Sequence, residues 1–175
     1  MKIYADTNFL TAVYLPVAGG DKALGLLEEA RAAGHLPVFV TWLLRVELIN
    51  AFEQSVFTAR TSGQTRVTPE LAAVAQASFR DDLLAGRALE HREIDMDGLV
   101  AQFESLALRH TARHGFRTYD LLHVASALVL GCATFWSFDE RAKRLARLEG
   151  LHELTRGHRP HCGHLAWPLL GCRKT

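Results

Sequence analysis

The stretch Lys2-Ile3-Tyr4-Ala5-Asp6-Thr7-Asn8-Phe9-Leu10 decides the fold. Residues 2–5 read as a short strand and the apolar Phe9-Leu10 opens a helical pattern, so Asp6 stands at the turn between them. Open α/β sheets place their ligands at the carboxyl ends of strands. A carboxylate there is either a helix cap, since Asp-Thr-Asn favours local backbone bonding, or the first piece of a site. The pattern of strand, acid and helix recurs at Ala133-Thr134-Phe135-Trp136-Ser137-Phe138-Asp139, followed by Glu140-Arg141-Ala142-Lys143.

Outward from these two anchors the chain alternates short apolar runs with longer helical ones. Strands are expected at 2–5, 37–41, 88–94, 133–137 and 151–154. Helices are expected at 9–14, 21–33, 42–61, 69–86, 96–114, 119–130 and 139–148. Such alternation predicts a parallel sheet covered by helices. Asp21 and Gly34 bracket one helix as cap signals, and Thr68-Pro69-Glu70 reads as the cap and first turn of another. Helices 42–61 and 69–86, joined by a polar connector, form a hairpin projecting from the sheet.

A chain of 175 residues, 49% hydrophobic and 22% charged, fits one domain with a tail. The net charge of +1 hides an asymmetry: residues 1–153 carry all 19 acids and 16 of the 20 basic residues, a balance of −3. That body excludes a broad basic nucleic-acid-binding surface, so any polyanion must be held by local basic patches and bound cation. The α/β unit is expected over 1–155. The tail 156–175 is basic, contains His and Cys, and is left without secondary structure. Within it His158, His161, Cys162, His164 and Cys172 are zinc-ligand types but lack a paired-ligand spacing, so disorder is the preferred reading. Three cysteines do not make a disulfide scaffold. The absence of a signal-like N-terminus and of a membrane-length apolar run makes cytoplasmic the default location. Trp42, Trp136 and Trp167 are read as packing residues.

Two further acids join Asp6 and Asp139. Asp120 opens Tyr119-Asp120-Leu121-Leu122-His123-Val124-Ala125-Ser126-Ala127, a helix apolar almost all round and therefore buried. Asp120, His123 and Ser126 form its one polar stripe. A buried carboxylate needs a cation or donors, so Asp120 either binds an ion or caps its helix, whereas His123 is read as a satisfied core histidine. Glu47 shares a helical face with Asn50 and Gln54 that is either wet or leans over the same sheet edge. Glu53 and Asp97 rank lower. Four carboxylates at one edge would repel one another unless cations sat between them. Mg²⁺ and Mn²⁺ prefer such hard oxygen donors, and a metal there can activate water against a phosphodiester.

Four pieces, Tyr4-Ala5-Asp6-Thr7-Asn8-Phe9-Leu10, Val46-Glu47-Leu48, the helix start Tyr119 to Ala127, and Ser137-Phe138-Asp139-Glu140-Arg141, resemble the PIN-domain nucleases, especially VapC-type toxins of toxin–antitoxin pairs. The resemblance covers roughly residues 1–155. It implies a three-layer α/β/α fold with a five-stranded parallel sheet in order 3-2-1-4-5. It also implies that Asp6, Glu47, Asp120 and Asp139 are the catalytic, metal-binding acids, with Thr7, Asn8 and Ser137 as their supporting groups. An Mg²⁺- or Mn²⁺-dependent endoribonuclease, a homodimer and a small protein antitoxin are implied in turn. In this family the fourth acid commonly follows Thr; here Ser137 stands two residues before Asp139, which keeps the hydroxyl. The tail has no family counterpart.

Arg109, Arg113 and Arg117 precede Asp120, and Arg141 and Lys143 follow Asp139. Arg109 and Arg113 are expected to share one patch near the acids, gripping RNA phosphates, unless these are merely solvated faces. The helices at 9–14 and 42–57 are candidate dimer or antitoxin surfaces. Competing functions are an RNA-processing or structure-specific DNA nuclease and a non-catalytic RNA-binding module. A phosphotransferase with Asp6 as nucleophile is disfavoured by Asn8, which stands where a second acid would be needed.

Overall fold

Strand β1 (Ile3–Ala5) lies inside the sheet because nothing in it needs water: Ile3, Tyr4 and Ala5 are fully buried. Parallel strands covered on both faces read as continuous apolar runs, and β2 (Val38–Val40) and β4 (Thr134–Trp136) are likewise buried throughout. With β3 (Leu89–His91) at one edge, the order is β3-β2-β1-β4, all parallel. The structure is a computed structural model and describes residues 1–63 and 66–153. The tail at 156–175, with its cysteines and Trp167, lies outside the described residues.

The fifth strand is corrected. Among the described residues the segment expected at 151–154 makes only a single parallel bridge, Thr134 to His152, closed by Phe135 N–H to His152 O and His152 N–H to Ala133 O, both 2.9 Å. Among the described residues of that segment, Leu151 alone has a buried apolar side chain.

The helices are α1 (Thr7–Tyr14), α2 (Gly20–Ala32), α3 (Trp42–Ser62), α4 (Pro69–Ala85), α5 (Met96–Leu106), α6 (Ala112–His114), α7 (Thr118–Val129) and α8 (Glu140–Leu148). They sort into two packed groups: α1 with α2, α3 and α4, and α7 with α5 and α8. The α3–α4 hairpin is seated on α1 by aromatic edges, Tyr14 standing 6.2 Å from Phe52 and 5.8 Å from Phe79. Fully burying such a ring is worth about 1.5–3 kcal/mol. The hairpin's far end, around Phe57 to Ser62, is more open. The expected helix 96–114 is also corrected: between α5 and α6 runs a π turn, Ala107–Thr111, that breaks its 3.6-residue repeat.

Candidate active site

Strand register brings the site together. β1 pairs with β4 with Ala5 opposite Trp136, so the next residues, Asp6 and Ser137, emerge side by side. Three helices start from this edge with a side-chain cap: Asp6 accepts from Phe9 N–H, Thr41 from Leu44 N–H and Asp139 from Arg141 N–H. Strands end here for the same reason that helices begin here. The polar residue that stops each apolar run also satisfies the orphan N–H groups of the next helix.

Asp6 is 4% exposed. Its Oδ1 takes the Phe9 N–H at 3.0 Å and its Oδ2 takes the Ser137 hydroxyl at 2.6 Å. Burial pushes its pKa up to about 6, against the lowering pull of Ser137, the charge of His123 and the Phe9 N–H. Ser137 is fully buried and also accepts the Asp139 N–H at 2.9 Å, so one hydroxyl serves both acids. Asn8 accepts the Phe138 N–H at 2.7 Å and reaches Ser137 Oγ at 3.5 Å, which ties the two strand ends together. Asp120, 9% exposed, sits in the first turn of α7, and its Oδ2 takes the Arg117 N–H at 3.0 Å. The cap expected as an alternative to ion binding is therefore formed, through one carboxylate oxygen.

Glu47 reaches in from α3. Its Oε2 receives the Thr7 hydroxyl at 2.6 Å and lies 2.5 Å from His123 Nε2. Burial pushes Glu47 up, but the hydrogen bond and charge of His123, helped by Thr7, outweigh it and hold the carboxyl below its usual range. His123 is a satisfied buried histidine, as expected; what the sequence does not convey is that its partner is one of the four acids. Beneath it Tyr4 is fully buried, its phenol held well above the usual range chiefly by desolvation.

All four acids line one cleft of about 1030 Å³. Its other walls include Thr7, Asn8, Asn50, Gln54, Tyr119 and Phe138. The wall is tight where Phe138 meets Gly19: with φ of 93°, a Cβ there would stand 3.1 Å from the ring. Among the described residues no three acid, histidine or cysteine side chains are close enough together to hold an ion by themselves. Three of the acids nevertheless spend only one oxygen on protein. Glu47 Oε1, Asp120 Oδ1 and Asp139 Oδ2 accept no hydrogen bond among the described residues.

The basic residues divide. Arg117 lines the cleft, and so does Arg66, which no periodicity marks because it lies outside any element. Arg109, Arg113, Arg141 and Lys143 do not. The expected Arg109–Arg113 patch does not stand at the cleft: Arg109 forms a two-pronged pair with Glu149 at 2.9 and 3.0 Å, joined by His110 at 2.6 Å. Lys143 is bonded to Glu140. Glu53, a lesser candidate acid, accepts from Gln76 at 2.7 Å, away from the cleft. Asn50 and Gln54 face the cleft with Glu47, so that polar helical face is a wall of the site.

Fold and cleft together define an open parallel α/β protein with an acid-lined site at the carboxyl edge of its sheet. The family model of the PIN domain matches residues 3–148, and the chain belongs to the PIN domain family. Among solved structures it is similar to Mycobacterium tuberculosis VapC20, a sarcin-ricin loop cleaving toxin, with a TM-score of 0.52 and 20% identity over 82% of this chain and 94% of that chain. At that identity the likeness speaks for the fold alone. No curated protein sequence matches the chain.

Proposed function

We propose that this protein is a divalent-metal-dependent endoribonuclease, acting as the toxin of a toxin–antitoxin pair. The observation that carries the reading is the meeting of Asp6, Glu47, Asp120 and Asp139, far apart in sequence, in one cleft. The donor set is all carboxylate, which suits Mg²⁺ or Mn²⁺ rather than a softer metal. Mg²⁺ keeps several waters and takes one or two carboxylates directly, which suits acids that share a cleft without closing on one point. When bound, such an ion would polarise the scissile phosphate and lower the pKa of the attacking water.

The chain's own residues do the rest. Asp6 is held at both oxygens, by the Phe9 N–H and the Ser137 hydroxyl. Asp120 and Asp139 each keep one oxygen free at a helix start, and Glu47 offers a third from the opposite wall. Arg117 and Arg66 line the cleft, and in this reading they bind backbone phosphates of the RNA. Membership of the PIN domain family makes RNA the substrate to test first. A homodimer, a small antitoxin and a cytoplasmic setting belong to the same reading; no helix among the described residues is long and apolar enough to cross a membrane.

Cleavage of single-stranded RNA and branched DNA with Mg²⁺, Mn²⁺ or chelator tests this. Metal-dependent RNA products with 5′-phosphate and 3′-hydroxyl ends are expected; cyclic-phosphate ends would implicate the RNA's own 2′-hydroxyl and end the mechanism. Preference for branched DNA would move the protein to the structure-specific nucleases. A non-catalytic RNA-binding module is the second reading, favoured by the finding that no ready-made ion cage stands among the described residues. Inert wild-type protein that still binds RNA would decide for it.

A further inference from the structure

His123 is the buried polar side chain that this reaction leaves without a task. It lies on α7 at 4% exposure, flanked by Leu122 and Val124 on a helix otherwise built for the core. Its Nδ1 is 3.0 Å from the Tyr4 hydroxyl and its Nε2 is 2.5 Å from Glu47 Oε2. A ring nitrogen and a carboxylate oxygen that close need a proton between them, and an ionised carboxylate has none to give, so Nε2 is the donor. Behind the ring, Tyr4 is 3.3 Å from Thr41 Oγ1, and Thr41 caps α3, the helix that carries Glu47. The imidazole is therefore gripped at both nitrogens, and the grip runs back to the helix it acts upon.

The consequence falls on one oxygen. His123 and Thr7 both donate to Oε2, and Oε1 is left without a hydrogen bond among the described residues. A glutamate side chain is long and loses rotamer freedom when ordered. Here that ordering is done by the protein before any ion arrives. An apolar side chain at 123 would leave Glu47 Oε2 with the Thr7 hydroxyl alone.

We propose that His123, held by Tyr4, is a positioning residue that fixes the Glu47 carboxylate by Oε2 so that Oε1 is the oxygen offered to a divalent cation. The inference rests on the metal-dependent reading above. Partners of metal ligands typically change affinity by about 10–100-fold, and a loss in that range is expected here.

Calorimetric titration of Mn²⁺ into the full-length protein tests it, with thermal unfolding in chelator to verify the fold. His123→Phe is expected to bind Mn²⁺ about 10–100-fold more weakly. His123→Met, whose flexible side chain fills the same space, carries the comparison if the Phe variant does not fold. His123→Gln, whose amide can still donate to Oε2, is expected to recover most of the affinity. Folded Phe or Met variants that bind as tightly as wild type overturn the inference and leave the nuclease reading standing. Equal losses in the Gln variant also overturn it, because packing rather than the donor would then be the cause. A wild type that binds neither Mn²⁺ nor Mg²⁺ overturns both.

Discussion

Ser137 Oγ stands 2.6 Å from Asp6 Oδ2 and joins the end of β4 to the end of β1. The same oxygen accepts the Asp139 N–H at 2.9 Å, so a single buried hydroxyl holds two of the acids in relation to one another. Ser137→Ala would leave a buried carboxylate short of a donor and a backbone N–H short of an acceptor. The expected cost is about 1–3 kcal/mol in urea unfolding, with weaker Mn²⁺ binding. Ser137→Thr keeps the hydroxyl and should lose less. An Ala variant that unfolds at the wild-type urea concentration would remove Ser137 from the site's support.

Asp6 makes the metal-free protein sensitive to pH. Its folded pKa of about 6 lies above its ordinary 3.8. Between those values the native state binds more protons than the unfolded one, so this group's contribution to stability falls as pH rises from about 4 to about 6. At neutral pH the accumulated cost is of order 2–3 kcal/mol. Asp6→Asn should abolish cleavage, and its stability in chelator relative to wild type should improve as pH rises from about 4 to about 7. Urea unfolding of both proteins across that range gives the difference directly. A stability difference between the two proteins that stays constant across that range would contradict the burial argument.

The strand ends are legible because two physical demands coincide on them. A doubly covered parallel strand must be a short apolar run, and the residue that ends it must be polar enough to cap a helix. Asp6 and Asp139 satisfy both, so sequence locates them. Glu47 and His123 are harder, since the one meets the other across 76 residues and His123 meets Tyr4 across 119. A helical stripe shows that His123 has a polar neighbour but not which. The π turn has no counterpart in the hydrophobic pattern, and the fifth strand looks like its neighbours until its partner atoms are counted. Arg66 lies in a connector where periodicity is silent.

Tyr14 donates to Asp82 Oδ2 at 2.7 Å where α4 meets α1. Asp82 is buried, and its carboxyl is held above the usual range, by desolvation first and by the charge of Asp81, against the lowering bond from Tyr14. Tyr14→Phe keeps the ring edges on Phe52 and Phe79 but removes the donor, for a loss of roughly 1–3 kcal/mol at neutral pH. Below the folded pKa the carboxyl is neutral, so the deficit should shrink on acidification. Adding Asp82→Leu should restore part of the loss, because an unpaired buried acid is worse than none. Additive losses in the double variant would show that the two residues do not act together.

Arg117 and Arg109 precede the same acid, and the structure gives them different work. Arg117 opens α7 and lines the cleft beside Asp120. Arg109 is paired with Glu149, whose side chain is only 9% exposed and which His110 also contacts. Arg117→Gln should therefore weaken binding of single-stranded RNA and lower the slope of log affinity against log salt by about 0.7, the value for one phosphate contact. Arg109→Gln should leave that slope unchanged and instead lower stability by roughly 1 kcal/mol, since Glu149 keeps His110 but loses its two-pronged partner. The two measurements, RNA affinity across a salt series and urea unfolding without RNA, separate the roles. A wild-type salt slope in the Arg117→Gln variant would mean that Arg117 makes no phosphate contact and serves only to start its helix.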